Sequence, residues 1–503
     1  MSLSREEFLK LPIIALNGLE SNPPADYSPA QQTLLPYADI LQTGWWLCFA
    51  AVLAVLILRF FIIPLIKNRG QAHDLSCPPV VTENVPIKGA GAIQTLYHRL
   101  FSLHEIEQDV ALRLFGGAIL IGYLVTYAAW QMDPSTTIDA VKTGQNLCWP
   151  FFQSCADWIK LRGLPYGYSQ TTIFMGMFGL IMLAAYALLA RRILLAHASI
   201  LALFVFKLYM TLIAFWHNGN YDYYHTLFNI VFLFLPRKRF FGSLILVWCY
   251  FLSTATKIHP SWTLAGFFGA MREGLPLTPR SVEPVMTNLV VFMEMVMSWF
   301  LFSRRRWLQQ SVFTFFCLFH LYSGILVGYH YPTIVMPSLV IFFGPLFRPF
   351  PSVPLTRAGL PGWILVAALL ACQLFSHLLP GDTKLTMQGN YYGLYMFEAN
   401  HQCRVTYASD EWRKTKIRDH VNARFRCGAW ENMVHAQQKF CRDGENQKIA
   451  FTILHSINGG PFYKIVNEPD LCSLHYKAFA SNDWIKNETN AEITGRPVQN
   501  YYQ

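Results

Sequence analysis

The sequence predicts an α-helical polytopic membrane protein of about ten transmembrane helices with a small external β-rich C-terminal domain. Three observations lead there. The 503 residues are 53% hydrophobic and only 14% charged, with a mean hydropathy of +0.28, too apolar for a water-soluble globule of this length. Apolar runs of about 17–25 residues recur, the length that crosses a hydrocarbon core of about 30 Å as a helix. From residue 381 onward the chain turns to short β-branched and aromatic runs interspersed with cysteines.

The elements follow in order. Residues 1–42 read as an external segment, polar and proline-containing, with no basic stretch leading into an apolar one, so no cleaved signal peptide is expected. The first span is 43–66. Residues 67–109 form a cytoplasmic loop in which 95–109 spaces Leu96, Leu100 and Leu103 as an amphipathic helix, either at the membrane interface or as an ordinary loop helix. Residues 110–380 hold the remaining spans, at 110–130, 171–190, 194–216, 222–236, 239–258, 285–303, 308–328, 331–347 and 359–379. The external domain is 381–503. Its β-like runs are 401–409 and 448–457, and Asn458-Gly459-Gly460 turns the second into a third.

Charge placement sets the orientation. Alternate loops carry Lys67 and Arg69, Arg191 and Arg192, the Arg237–Arg239 cluster, the Arg304–Arg306 cluster, and Arg348 with Arg357. The positive-inside rule makes these cytoplasmic and both termini external, in a periplasm or secretory lumen. The formal net charge of +10 therefore belongs to short membrane loops, and no nucleic-acid partner is expected. Six of the 11 cysteines, Cys148, Cys155, Cys403, Cys427, Cys441 and Cys472, fall in external segments, where disulfides form. Asn487-Glu488-Thr489 is a glycosylation candidate.

Several polar residues lie in or beside the spans: Lys207, His217, Asp222, His225, Lys257, His259, Glu294, His320 and His330. Charge at membrane depth is costly. Lys257 ends an apolar run and could snorkel its ammonium into the headgroups. His217 and His330 read as interfacial residues. Lys207 and Glu294 are near mid-span, and a buried Lys–Glu pair is their cheapest explanation. His320 reads as a core histidine, and His225 sits in an aromatic turn. Zinc spacings, phosphate-cradling glycine loops and a nucleophile elbow are all missing, and no metal is expected.

A set of short motifs resembles the HTTM (horizontally transferred transmembrane) family, which includes the vitamin K-dependent gamma-carboxylase. The motifs run in order through about 105–470. IEQDVALRLFGG (106–117) resembles the helix that opens the family's membrane domain. LCWPFF (147–152) resembles a cysteine-containing external segment. YDYYHTLF (221–228) matches the family histidine to His225. TKIHPSW (256–262) matches its catalytic lysine to Lys257. Glu294 matches an acid common at its span, FHLYSGILVGYHYPTIVM (319–336) matches a histidine to His320, and GNYYGLYMFEANHQCRVTY (389–407) resembles the start of the external domain.

The resemblance implies a membrane enzyme that couples oxygenation and epoxidation of a reduced quinone to proton abstraction from a substrate, followed by carboxylation. It implies a vitamin K hydroquinone-like quinol, O2 and CO2 as co-reactants, with Lys257 the general base and His225 stabilising an anionic intermediate. His320, His259, Asp222 and Glu294 are pocket candidates. A peptide, protein or small molecule would be processed at an active site facing the exterior or the lumen, with the bilayer and its quinol as the other partners. The resemblance and the compartment together imply that Cys148 pairs with Cys427 or Cys441. Competing expectations are a quinone epoxidase without carboxylation, a non-enzymatic membrane factor for peptide maturation or export, and a transporter. The large external domain and the lack of an inverted repeat weigh against the transporter.

Overall fold

A computed structural model describes residues 10–14, 33–63, 91–132, 148–151, 168–213, 219–269, 277–344, 357–395, 399–409, 413–419, 427–441 and 448–497, with positions 7, 275 and 353. The structure is a helical body with a small, mainly antiparallel sheet formed chiefly near the C-terminus. The principal helices are α1 (Ala38–Ile57), α2 (Ala92–Leu100), α3 (Leu103–Gln108), α4 (Val110–Met132), α5 (Tyr168–Leu189), α6 (Ile193–Ile213), α7 (Asn220–Phe234), α8 (Lys238–Lys257), α9 (Glu283–Met295), α10 (Arg306–Val327), α11 (His330–Phe343), α12 (Leu360–Leu374) and α13 (Ala429–Phe440).

Among the described residues, six helical stretches are long and apolar enough to cross a membrane: Leu35–Ile62, Val110–Ala128, Ile193–Leu212, Lys238–Lys257, Arg280–Phe302 and Arg357–Leu378. Phe174–Leu189 and His330–Phe343 are shorter apolar helices. Helices of this length and composition are compatible with a multi-pass membrane protein.

Helix α8 is the axis of the body. Its 18-residue apolar window is buried throughout, against α7, α9, α11 and α12. A helix packed on all sides cannot leave side-chain hydroxyls to water. Its serines and threonines therefore donate back along the helix: Ser243 to the Arg239 carbonyl (2.9 Å), Thr254 to Phe251 (2.6 Å) and Thr256 to Ser253 (2.9 Å). The Trp248 indole N–H donates across to the Val366 carbonyl on α12 at 3.1 Å. At the other end, both Glu105 oxygens of α3 accept backbone N–H bonds, from Arg237 and Lys238, at 2.8 Å each. A carboxylate thus closes the positive end of the helix dipole.

The amphipathic segment departs from expectation. Ser102, in a left-handed conformation (φ 50°), breaks it into α2 and α3. On α2, Ile93, Leu96 and Leu100 are exposed, as an interfacial helix requires, but Leu103 and Ile106 on α3 are fully buried in the body. The capping role of Glu105 explains why α3 turns inward.

The sheet has the order β1-β6-β5-β4-β2-β3, from β1 (Ile13–Ile14), β2 (His401–Ala408), β3 (Arg413–Asp419), β4 (Ala450–Ile457), β5 (Phe462–Glu468) and β6 (Glu492–Pro497). Only β1, which pairs with β6, is parallel to its neighbour. The expected turn is present: Asn458 and Gly459 both have positive φ (50° and 73°), as a tight hairpin connection demands. Helix α13 contributes Trp430, Met433 and Ala436 to the same core as Val405, Phe451 and Ile465.

The disulfides correct one expectation. Cys403 bonds Cys427, and Cys441 bonds Cys472. Cys148 is disulfide-bonded too, but its two expected partners are already joined within the tail. Cys155 lies outside the described residues. Asn487 is half-buried on a turn, its amide oxygen accepting from the Thr489 backbone N–H (3.0 Å) and hydroxyl (2.6 Å).

Close packing around α8 depends on glycine. A Cβ at Gly242 would sit 2.5 Å from the Phe342 ring of α11, whereas one at Gly117 on α4 meets nothing within 4 Å. Gly242→Val is expected to destabilise the body by about 1–3 kcal/mol, and Gly117→Ala to be neutral or better. Thermal unfolding of both variants in detergent checks this.

Candidate functional site

Six of the nine polar residues flagged by the sequence form two buried centres. The first lies at the C-terminal end of α8. Lys257 forms an ion pair with the Glu294 carboxylate of α9, and the two side chains are 3% and 5% exposed. One turn back on the same face, Ser253 Oγ donates to the same Glu294 oxygen at 3.0 Å. The Trp262 ring lies 5.4 Å from the Lys257 ammonium, within cation–π range. Lys257 therefore does not snorkel: its charge is held inside the body by a carboxylate that Ser253 supports and by an aromatic face.

Beside it runs a tyrosine–histidine chain. Tyr250 OH meets His320 Nε2 at 2.5 Å, the His320 ring packs 5.4 Å from Tyr331, and Tyr331 OH donates to Tyr224 OH at 3.3 Å. His320 Nδ1 is fully buried and has no hydrogen-bond partner among the described residues. Buried polar atoms are rarely left so.

The second centre is built from α4, α6 and α7. Lys207 Nζ lies 2.7 Å from Asp222 Oδ1 and donates to His225 Nδ1 at 2.8 Å and to Thr126 Oγ1 at 3.3 Å. His225 Nε2 is 2.9 Å from the Ile119 carbonyl. A carbonyl only accepts, so this bond assigns the ring proton to Nε2 and leaves Nδ1 to accept from Lys207. Gly122 makes room for the ring, since a Cβ there would lie 2.5 Å from it. The other Asp222 oxygen accepts the Gly219 backbone N–H at 3.1 Å and caps α7.

The expected Lys207–Glu294 pair is thus replaced by two others, because α6 faces α7 while α9 faces α8. The structure does not bring His225 to Lys257. Both His225 nitrogens are engaged elsewhere, and α7 separates the centres, with Tyr224 facing one and His225 the other. His217 lies outside the described residues, and His330 stacks on Tyr221 at 5.7 Å. Tyr250, Ser253 and Tyr331 complete the first centre without having been singled out in the sequence. Ser253 was findable, four residues before Lys257 on a helix.

His259 has a different job. Its Nδ1 accepts the Ser261 backbone N–H (3.1 Å) and caps the turn Pro260–Thr263, while Nε2 reaches Asp382 Oδ2 of the tail at 3.3 Å. Asn400 Nδ2 donates to the Phe267 carbonyl (2.6 Å) and Asn220 Nδ2 to the Tyr395 carbonyl (2.8 Å), so the tail is latched to the body beside Lys257. Burial alone would raise the Asp382 carboxyl. The opposing His259 charge and hydrogen bond, with Lys384, outweigh it and hold the group well below its ordinary value of 3.8.

A cleft of about 470 Å³ lined by Gln94, His98, Glu107 and Arg192 lies at the opposite end of α8 and contains none of these residues.

Two outcomes are expected. Lys207→Met strands a buried carboxylate and costs about 3–5 kcal/mol, and Lys207→Met with Asp222→Leu recovers most of it; melting temperatures of the single and double variants measure this. A depressed carboxyl stabilises the fold fully above its ordinary value, and this contribution is lost as pH falls from there toward the lowered value. Melting of wild type should therefore drop on going from about pH 5 to pH 3 by more than melting of Asp382→Asn, which starts lower at neutral pH.

No family model, curated protein or solved structure matches the chain.

Proposed function

We propose that the chain is a ten-span membrane enzyme of the gamma-carboxylase type, in which the Lys257–Glu294 pair is the base that deprotonates a lipid quinol. The observation that carries this reading is a lysine and a glutamate paired out of water at the end of a fully packed helix, supported by Ser253 and Trp262. When bound, a reduced quinone with O2 supplies the strong base that takes a proton from the substrate, and CO2 adds to the carbanion.

The chain's own part is proton handling. An ammonium cannot accept a proton. Its counter-ion solves this: Lys257 passes one proton to the Glu294 carboxylate and its freed lone pair takes the quinol hydroxyl proton, so the pair gains one proton in all. The Ser253 hydroxyl keeps the Glu294 oxygen aimed at Nζ. His320 Nδ1, buried and unpartnered, fits a quinol oxygen as its hydrogen-bond partner, and Tyr250 orients the ring through Nε2. With both nitrogens of His225 engaged, its share is to position Lys207 in the neighbouring centre rather than to touch an intermediate.

The test uses membranes carrying the full chain, a vitamin K-type hydroquinone, labelled bicarbonate and a glutamyl peptide, with epoxide and fixed label read separately. Lys257→Arg keeps the charge and the salt bridge but cannot give up its proton. It is expected to lower epoxide formation by about 100-fold or more while leaving the protein folded and inserted. Normal turnover in Lys257→Arg would remove the base assignment. Epoxide without fixed label would leave a quinol epoxidase.

A further inference from the structure

The sheet's core holds a group of side chains that the proposed membrane chemistry does not use. His401 and Cys403 lie two apart on β2 and so share a face. His455 on β4 is the direct cross-strand partner of Cys403. Cys427, just before α13, is bonded to Cys403. The ligand atoms of His401, Cys427 and His455 all lie within 4.8 Å of one another, and all three residues are buried. His401 Nδ1 and His455 Nε2 are 2.9 Å apart.

A disulfide in a sheet core needs no imidazoles beside it, and two buried imidazoles cost more desolvation than two aliphatic side chains would. We propose that His401, Cys403, Cys427 and His455 form a tetrahedral zinc site, filled while the two cysteines are still thiols. The donor set is that of structural zinc. With Zn–N of about 2.0–2.1 Å and Zn–S of about 2.3 Å, ligand atoms around a tetrahedral ion stand about 3.3–3.8 Å apart. The two histidine nitrogens need to part by only a few tenths of an ångström.

The surroundings are prepared for it. His455 Nδ1 lies 2.7 Å from the Leu385 carbonyl. That bond puts the proton on Nδ1 and leaves the Nε2 lone pair aimed into the cluster, the outer-shell arrangement typical of a ligating histidine.

The balance is simple. Two cysteine thiols, two neutral imidazoles and one Zn²⁺ give the four-coordinate site and release two protons; the His401 proton moves from Nδ1 to Nε2. The competing fate is exchange with a disulfide-bearing oxidant, which takes the two thiols' electrons and protons as two thiols of its own. That leaves the Cys403–Cys427 bond of this structure. Metal and disulfide are then alternative closures of one core.

The test is independent of any enzymatic activity. The full chain carrying Cys441→Ser and Cys472→Ser is purified in detergent under reducing, anaerobic conditions, freed of reductant and titrated with Co²⁺. Thiolate-to-cobalt charge-transfer absorption should saturate at one ion per chain, with intense tetrahedral d–d bands displaced by Zn²⁺. The same chain after oxidation should show none. His455→Gln should lose the d–d intensity, and the Cys403→Ala, Cys427→Ala double variant, which keeps both histidines in an apolar core, should lose the charge-transfer band. A reduced, folded chain with no such band, or a band that survives the double variant, overturns the site.

Discussion

The helical body can hold charge only where a second helix supplies the counter-charge. In a low-dielectric interior an unpaired ammonium or carboxylate is several kcal/mol out of balance, so Lys207 and Lys257 oblige their neighbours to answer them. Asp222 answers from α7 and Glu294 from α9. Each pair is also a registration mark, because a slide of one helical turn, about 5.4 Å, would separate both ions at once. The packing of α6 on α7 and of α8 on α9 is therefore specified more sharply than apolar side chains alone would specify it.

Helix α7 divides the interior into two chemically different halves. Successive residues on a helix point about 100° apart, so Tyr224 and His225 look into different centres. Behind His225, Lys207 gathers Asp222, His225 and Thr126 around one ammonium. On the Tyr224 side the chain of phenols and imidazole ends in the unpartnered His320 Nδ1. The first half is a clasp centred on a lysine; the second carries a buried imidazole nitrogen that no described residue satisfies.

Much of this was legible in the sequence, for a definite reason. A lysine or glutamate inside an apolar run announces itself, and Lys207, Lys257, Glu294, His225 and His320 all stood out. Which charge meets which did not, because periodicity fixes the face of a helix but not its neighbour; Lys207 and Glu294 looked like partners and are not. Tyr250 and Tyr331 were invisible as ordinary residues of apolar helices, and Ser253 was marked only by its spacing of four from Lys257. The two long β runs and their Asn-Gly-Gly turn were readable from alternation and turn chemistry. Helix α13 was not, since AWENMVHAQQKF sits among β-like segments with only a modest apolar stripe. The Cys403–Cys427 bond was hidden for the same reason as the helix pairs: compartment identifies which cysteines can pair, and only the register of β2 and the start of α13 says which do.

The two-residue strand β1 is the smallest element of the fold and constrains it most widely. The Arg496 backbone N–H donates to the Pro12 carbonyl at 2.9 Å, and its Nε to the Leu11 carbonyl at 3.3 Å. Two stretches of chain nearly the full sequence apart are thereby held on one edge of one sheet. If the apolar helices cross a bilayer, this is a parity condition: whatever the number of crossings between the two stretches, it has to be even. Loss or gain of a single crossing would not merely shift a loop. It would put the two halves of the edge on opposite faces of the membrane, where no rearrangement of the sheet could rejoin them.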